Sequence, residues 1–195
     1  MSVIADQHLN GVDTERLFTT IDAVREQPTN AHFQFRVVND WVSGTHSQGR
    51  FPGFSGAGRE HVHTTETVVD ADHPAVLAGT DLGPSPAELL LNALAACLMA
   101  GLGNIASARG IALHHVRCRV EGDLDLQGIL GVDPTVRNGF HAVRAVFEVD
   151  GDADAVTLNS LLAQSRARSA VFDVLTAGTA VSIEVATAES RQDVG

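Results

Sequence analysis

The chain has 195 residues, enough for one sizeable core, and its 44% hydrophobic and 19% charged residues are typical of a folded soluble protein. Its 24 acidic and 13 basic side chains, the latter all arginine, give a formal charge of −11. That charge repels phosphate backbones and argues against a nucleic-acid partner. The start of the sequence has no basic, apolar signal pattern, and its longest apolar run, residues 89–100, is shorter than the ~20 residues of a membrane span. We therefore expect a soluble, cytoplasmic protein of bacterial type with no membrane partner.

The first third of the chain predicts a short helix followed by strands. Residues 1–12 are expected to form a loose tail, and residues 13–28 a surface helix, because apolar residues recur there at helical spacing between an aspartate and a proline. Residues 31–42 alternate in polarity and predict a strand. Residues 43–58 are rich in glycine and serine and predict a loop, whereas residues 59–70 predict a second strand that pairs with the first as an antiparallel hairpin.

A long helix is predicted over residues 86–109. Ser85 and Glu88 have the spacing of a capping box around a proline in the first turn, and Gly110 supplies the C-terminal stop. Between these signals the sequence is apolar nearly all round, so the helix must be buried on most of its circumference. Because a small subunit can hardly enclose such a helix alone, the pattern favours a homodimer in which two copies of it pack together.

The remaining elements complete an α+β fold in a single domain. They are a strand at 116–127 with Val116, Cys118, Val120, Leu124 and Leu126 inward, a turn at 131–139, a strand at 140–150, a helix at 151–169, a short helix at 171–178 and a final strand at 179–187. This order of strands, helix, strands, helix and strand is typical of α+β proteins with antiparallel sheets. The domain is expected to span residues 31–187, with the tail and short helix of residues 1–30 before it and a tail of residues 188–195 after it.

Cys97, in the middle of the long helix, has two interpretations from pattern alone. It shares a helix face with the small residues Ala93 and Gly101 and with Asn104, so another segment can approach its sulfur closely. A lone cysteine in such a place is more often a buried core residue than a nucleophile. Glu88 is not a suitable charged partner, since it lies about 180° round the helix and roughly 13 Å along it.

Other chemistry-bearing residues are assigned structural roles. Cys118 lies on the inward face of a strand and is not expected to form a disulfide with Cys97. His61 and His63 share one strand face, but too few further ligands follow them for a metal site. Arg166 and Arg168 are expected in the last turn of their helix, where their positive charge interacts favourably with the helix dipole. No cofactor or metal is predicted.

Three segments carry a family likeness. "GPSPAELLLNALAACLMAGL", "ARGIALHHVRCRVEGDLDLQG" and "QSRARSAVFDVLTAGTAVSIEV" resemble the osmotically induced protein C and organic hydroperoxide resistance family (OsmC/Ohr), over residues 31–186. The resemblance implies an OsmC-like fold with antiparallel sheets packed around two long central helices. It also implies an intertwined homodimer with active sites at the subunit interface. In the peroxidase members one cysteine attacks the peroxide, an arginine held by a glutamate keeps it ionised, and a second cysteine closes a disulfide.

Only part of this site carries over to the present sequence. Cys97 matches the peroxide-reactive cysteine, but Ser169 stands where the resolving cysteine would be and Ala87 where the glutamate would be. The arginine position is matched by Arg50, with His46 as the alternative. A serine cannot form a disulfide, so a peroxidase with two working cysteines is disfavoured.

Three functions therefore remain open from the sequence. In the first, Cys97 reduces organic or hydrogen peroxides and an external thiol resolves the oxidised cysteine. In the second, a non-catalytic dimer binds a small apolar ligand at the subunit interface, with Cys97 as a lining residue. In the third, the dimer is purely structural. The retained Cys97 favours the first function, and Ala87 and Ser169 favour the second.

Overall fold

The computed structural model describes residues 8–186 and shows an α+β fold. Within that range the strands are β1 (Gln34–Phe35), β2 (Val38–Ser43), β3 (His46–Arg50), β4 (Phe54–Gly56), β5 (Arg59–His61), β6 (Val68–Ala71), β7 (Leu113–Asp123) and β8 (Ala142–Gly151). The helices are α1 (Thr14–Glu26), α2 (Pro86–Ala108), α3 (Leu126–Ile129), α4 (Ala155–Ala167) and α5 (Ala170–Ala177). All strand pairs are antiparallel, in the orders β1-β4-β5, β2-β3-β6 and β7-β8. The predicted fold class is confirmed.

The segment predicted as a loop, residues 43–58, contains two strands, so that prediction is wrong. Gly44 has φ +55°, a conformation that glycine adopts without strain, and it lets β3 fold back at once onto β2 with Ser43 opposite His46. The predicted direct hairpin between residues 31–42 and 59–70 is wrong for the same reason. β3 lies between β2 and β6, and β4 lies between β1 and β5.

The part of the expected N-terminal tail that the structure describes is tied to the core. Residues Leu9–Gly11 form a short 3-10 turn in which Asn10 has φ 56°. The Asn10 amide donates to the Ser107 hydroxyl and to the Ile111 carbonyl, each at 3.0 Å, and its oxygen accepts from the backbone N–H of Leu113 at 2.8 Å. The tail prediction is therefore wrong for residues 8–12, because one asparagine side chain clamps the end of α2 to the start of β7.

The long helix α2 begins and ends where the sequence signals place it. Ser85 and Glu88 form a reciprocal capping box, and Gly110 follows the C-terminal cap at φ +70°. One face of α2 packs on α4 and β7 around the fully buried Leu102 and Leu161. The opposite face, which includes Ala93, Ala96 and Ala100, is exposed on a single chain, so burial on most of the circumference is not reached within one subunit. By length and composition α2 also meets the criterion for a membrane span, as the core helices of soluble proteins can.

A buried carboxylate organises the loop that leads into α2. Asp72 is 1% exposed. Its Oδ1 accepts from the Thr45 hydroxyl and from the backbone N–H of His73, and its Oδ2 accepts from both donors of Thr80 and from the backbone N–H of Leu82. The hydroxyls of Thr45 and Thr80 are the largest cause that holds the pKa of Asp72 far below its ordinary value. This carboxylate therefore fixes the loop ahead of Ser85 by accepting hydrogen bonds as an anion.

The second half of the fold agrees with the predicted order except for the short helix α3, which was not predicted, and the last element. β7 alternates as expected but ends at Asp123, because the Asp125 carboxylate caps α3 and stops the strand short of the predicted residue 127. The predicted final strand at 179–187 is not formed in the part that the structure describes, residues 179–186. A strand needs a hydrogen-bonded neighbour, and none of the described strands pairs with this segment.

Candidate functional site: a thiol at the start of helix α5

The site is built around the side chains of Cys97 and Ser169, which are 72 residues apart in sequence. The Ser169 hydroxyl lies 3.1 Å from the Cys97 sulfur and donates a hydrogen bond to it. The same Ser169 oxygen accepts from the backbone N–H of Phe172 at 3.1 Å and so caps α5. Cys97 is half-buried, whereas Ser169 is 5% exposed. Ser169 thus hydrogen-bonds both to the Cys97 thiol and to the N-terminus of α5.

This environment favours the ionised form of Cys97. Partial burial by itself would raise the pKa of the thiol. The Ser169 hydroxyl and the backbone N–H groups of Val171 and Ala170 outweigh it, and the pKa of Cys97 is lowered from its ordinary value. A helix N-terminus carries partial positive charge on its unpaired N–H groups, so an anionic sulfur is stabilised there. Because the thiolate is the nucleophilic form of cysteine, this geometry can support nucleophilic chemistry.

The close crossing of α2 and α4 places Ser169 against Cys97. Gly101 lies one helical turn after Cys97, and a Cβ atom at that position would overlap the Ser165 hydroxyl. The Ser165 hydroxyl, 1% exposed, donates to the carbonyl of Leu98 at 2.7 Å. A glycine on one helix and a small hydroxyl on the other therefore bring the backbones together. The chain then turns at the end of α4 and delivers Ser169 to the sulfur.

The two residues proposed from the resemblance as activators of Cys97 lie on β3 and are paired with carboxylates. His46 Nε2 is 2.7 Å from Asp70 Oδ1, and the Arg50 guanidinium donates to Asp40 at 2.9 Å. The loop expected to carry them is a strand, as reported above. Within the described residues of one chain, neither side chain is among the groups that set the pKa of Cys97. The structure thus brings together Cys97 and Ser169 but joins neither Arg50 nor His46 to them.

Cys118, His61 and His63 lie in surroundings typical of structural residues. Cys118 is half-buried on β7 opposite Phe147, and burial raises the pKa of its thiol. His61 and His63 lie against the Phe54 ring, with ring centroids 4.8 and 5.5 Å away. Among the described residues, no group of three or more metal-ligating side chains is gathered.

An apolar cavity beside the thiol site was not foreseen from the sequence. It has a volume of about 860 Å³ and lies between α2, β8, α4 and α5. Leu98, the neighbour of Cys97, lines it, as does Phe172 on α5, but Cys97 itself does not. Its walls come from α2, α4, α5, β8 and the chain segment ahead of β8. These parts are distant in sequence, so no local motif predicts the cavity. Helix α5 thus borders the cavity with one face and holds the thiol at its N-terminus.

Comparison with known proteins identifies the class of protein that this fold and site define. The sequence profile of the family described as OsmC-like protein matches residues 79–184, which include Cys97 and Ser169. The chain belongs to the OsmC-like family. No curated protein matches the sequence.

Solved structures support the same fold. An osmotic stress induced and detoxification response protein from Psychrobacter arcticus has a TM-score of 0.56 at 13% identity, over 73% of this chain and 88% of its own. An OsmC like protein from Mycoplasma pneumoniae has a TM-score of 0.55 at 17% identity, over 73% of this chain and 86% of its own. An organic hydroperoxide resistance protein from Legionella pneumophila, described as a predicted redox protein, has a TM-score of 0.50 at 15% identity, over 73% and 90%. At these identities the similarity is one of fold.

Proposed function

We propose that this protein is a single-cysteine thiol peroxidase, in which Cys97 reduces an organic or hydrogen peroxide and an external thiol restores it. The observation that carries the proposal is the hydrogen bond from Ser169 to the Cys97 sulfur at the start of α5, together with the lowered pKa of that thiol. Membership of a family with a hydroperoxide resistance protein supports the same chemistry.

The reaction follows from the groups at the site. The Cys97 thiolate attacks one peroxide oxygen, a sulfur–oxygen bond forms, the oxygen–oxygen bond breaks, and the departing alkoxide or hydroxide takes up a proton from solvent. Cys97 is then a sulfenic acid. An external thiol condenses with it to a mixed disulfide and releases water, and a second external thiol displaces Cys97 and leaves as an oxidised pair. Ser169 keeps its hydrogen bond to sulfur but supplies no sulfur of its own, so the resolving thiol comes from outside.

We also propose that the protein is a homodimer, because one chain leaves too much surface uncovered. A compact monomer of 20.5 kDa exposes about 8,900 Å², whereas this chain exposes 14252 Å². A permanent homodimer interface buries about 2,000–5,000 Å² over the two chains together, so it would cover part of this excess surface.

The segment predicted as the final strand supports the dimer and suggests one contact in it. Val181, Ile183 and Val185 alternate in sequence and are 79%, 91% and 90% exposed. A second copy can offer this segment a strand edge, so that its hydrogen bonds and its apolar side chains are both satisfied. Light scattering should give about 41 kDa, twice the 20.5 kDa chain. A stable monomer at micromolar concentration would contradict the proposal.

The peroxidase proposal is tested by trapping the oxidised cysteine. A modest excess of an organic hydroperoxide should give a sulfenic acid on Cys97 that a dimedone-type reagent labels, and larger doses should give sulfinic acid. Ser169→Cys should form a disulfide with Cys97, since the serine oxygen already lies 3.1 Å from the sulfur. The proposal fails if mass spectrometry shows no oxidation of Cys97 under conditions that fully oxidise a small free thiol. Because external thiols act in the turnover, we place the protein in the reducing cytoplasm.

The alternative function, ligand binding without catalysis, is favoured by the cavity between α2, β8, α4 and α5. Its volume of about 860 Å³ is within the range of small-molecule sites. The two functions separate in one experiment. In the first case the wild-type protein reduces peroxide and a Cys97→Ser variant does not; in the second case neither protein reduces peroxide and both bind the ligand.

A further inference from the structure

The lining of the apolar cavity has a charge pattern that differs from the rest of the protein. Its walls are mostly aliphatic and aromatic, with leucines from α2, α4 and α5 facing phenylalanines from β8 and the chain ahead of it. Three basic side chains, Arg137, His141 and Arg166, also line it, and no aspartate or glutamate does. The full chain carries 24 acidic and 13 arginine side chains. The charged side chains that line the cavity are therefore basic, whereas the protein as a whole is acidic.

The two arginines are available to a ligand. Within the described residues, neither Arg137 nor Arg166 forms an ion pair, whereas Arg36 pairs with Glu60 and Arg144 with Asp123. The Arg166 guanidinium lies 5.9 Å from the centroid of the Phe172 ring, which also lines the cavity. The guanidinium therefore lies next to an apolar wall, and no acidic side chain among residues 8–186 pairs with it. A planar guanidinium in this position suits a carboxylate, which it can bind through two parallel hydrogen bonds.

We propose that this cavity binds an apolar carboxylate, with the hydrocarbon chain among the leucines and phenylalanines and the carboxylate at Arg166 and Arg137. The proposal rests on the alternative function, ligand binding, and does not depend on the chemistry of Cys97, which does not line the cavity. Transfer of the alkyl chain from water supplies affinity, and the charge selects the anion over neutral molecules of equal length.

Calorimetric titration of the purified dimer with decanoate tests the proposal, with 1-decanol as the neutral ligand of equal length. We expect saturable binding of decanoate, weaker at high salt, and at least tenfold weaker binding of decanol. Arg166→Gln should weaken decanoate binding about tenfold or more. Arg168→Gln is the matched control, because Arg168 lies two residues away and does not line the cavity. Its affinity, and that of Cys97→Ser, should equal the wild-type value.

Two results would overturn the proposal. Equal affinity for decanoate and decanol, or no effect of Arg166→Gln, would show that the arginines do not select an anion. No binding of either ligand to the dimer would show that a second copy of the chain fills the cavity. Neither result bears on the peroxidase proposal, which is decided by oxidation of Cys97, and a Cys97 that resists oxidation leaves the decanoate titration unaffected.

Discussion

Replacement of Ser169 by alanine tests the two tasks that this side chain performs, and a matched control at another helix cap separates them. The hydroxyl donates to the Cys97 sulfur and its oxygen accepts from the backbone N–H of Phe172. Alanine removes both hydrogen bonds and leaves the backbone N–H groups of Ala170 and Val171 as the remaining donors to the sulfur. We therefore expect the pKa of Cys97 to rise towards its ordinary value while the thiol stays in place.

The stability cost of this change can be worked out from the cap alone. Loss of an N-cap serine costs about 1 kcal/mol, within a range of roughly 0.5–2 kcal/mol. For a protein of this size that lowers the melting temperature by about 2–4 °C. Asp154→Ala is the matched control, because Asp154 caps α4 by accepting from Thr157 at 2.7 Å. Both variants should lose similar stability, but only one should alter Cys97.

The assay is the rate of alkylation of Cys97 by iodoacetamide as a function of pH, in a Cys118→Ala background. For Ser169→Ala the midpoint of the profile should move to higher pH, and Ser169→Thr, which keeps a hydroxyl, should restore it. Asp154→Ala should leave the midpoint where it was. An unchanged midpoint in Ser169→Ala would refute the reasoning, since it would mean that the hydroxyl contributes nothing to ionisation of the thiol.

Three further predictions follow from the surrounding structure. Asp72→Asn should lower the free energy of unfolding measured in urea titrations, because an amide nitrogen would face the donors now bound to Oδ2. Because the pKa of Asp72 is lower in the folded protein than in the unfolded chain, ionised Asp72 stabilises the fold above pH ~4, the ordinary pKa of an aspartate. This stabilisation is lost as the pH falls from ~4 towards the pKa of Asp72 in the folded protein. Acid should therefore destabilise the wild type more than the variant. Gly101→Ala should cost about 1–3 kcal/mol by collision with Ser165, whereas Gly103→Ala, with open space around it in one chain, should not destabilise α2. Cys118→Ala should change stability and leave peroxide turnover intact, because burial raises the pKa of that thiol; loss of turnover in a folded variant would reverse the assignment of the two cysteines.

The elements with complete local signals were predictable from the sequence. The helix α2 carries a capping serine, a proline, a glutamate and a terminal glycine in order, and the structure confirms its bounds to within a residue. The alternation of β7 likewise identified its inward face. Such signals act over a few residues, so no knowledge of the rest of the chain is needed to interpret them.

The strands in residues 43–58 could not be predicted because their stability comes from partners outside the segment. Glycine and serine lower strand propensity, yet β3 is held on both sides, by β2 and by β6. The missing strand at 179–186 is the reverse case. Its alternating apolar residues have strand propensity, but none of the described strands pairs with it. Strand formation depends on neighbours, and local sequence does not report them.

The pair of Cys97 and Ser169 shows where family likeness and geometry each contribute. The family likeness identified both positions, but it described Ser169 only as the absence of the resolving cysteine. The structure adds that the serine donates to the thiol and caps α5, so the substitution retains a hydrogen-bond donor while it removes the internal disulfide. A helix N-terminus and a hydroxyl lower the pKa of this thiol without the arginine and glutamate that the likeness implied. In the chemistry we propose, the first step, attack on a peroxide, uses the Cys97 thiol and its hydrogen-bond donors in this subunit, and the second step, reduction of the sulfenic acid, is completed by an external thiol.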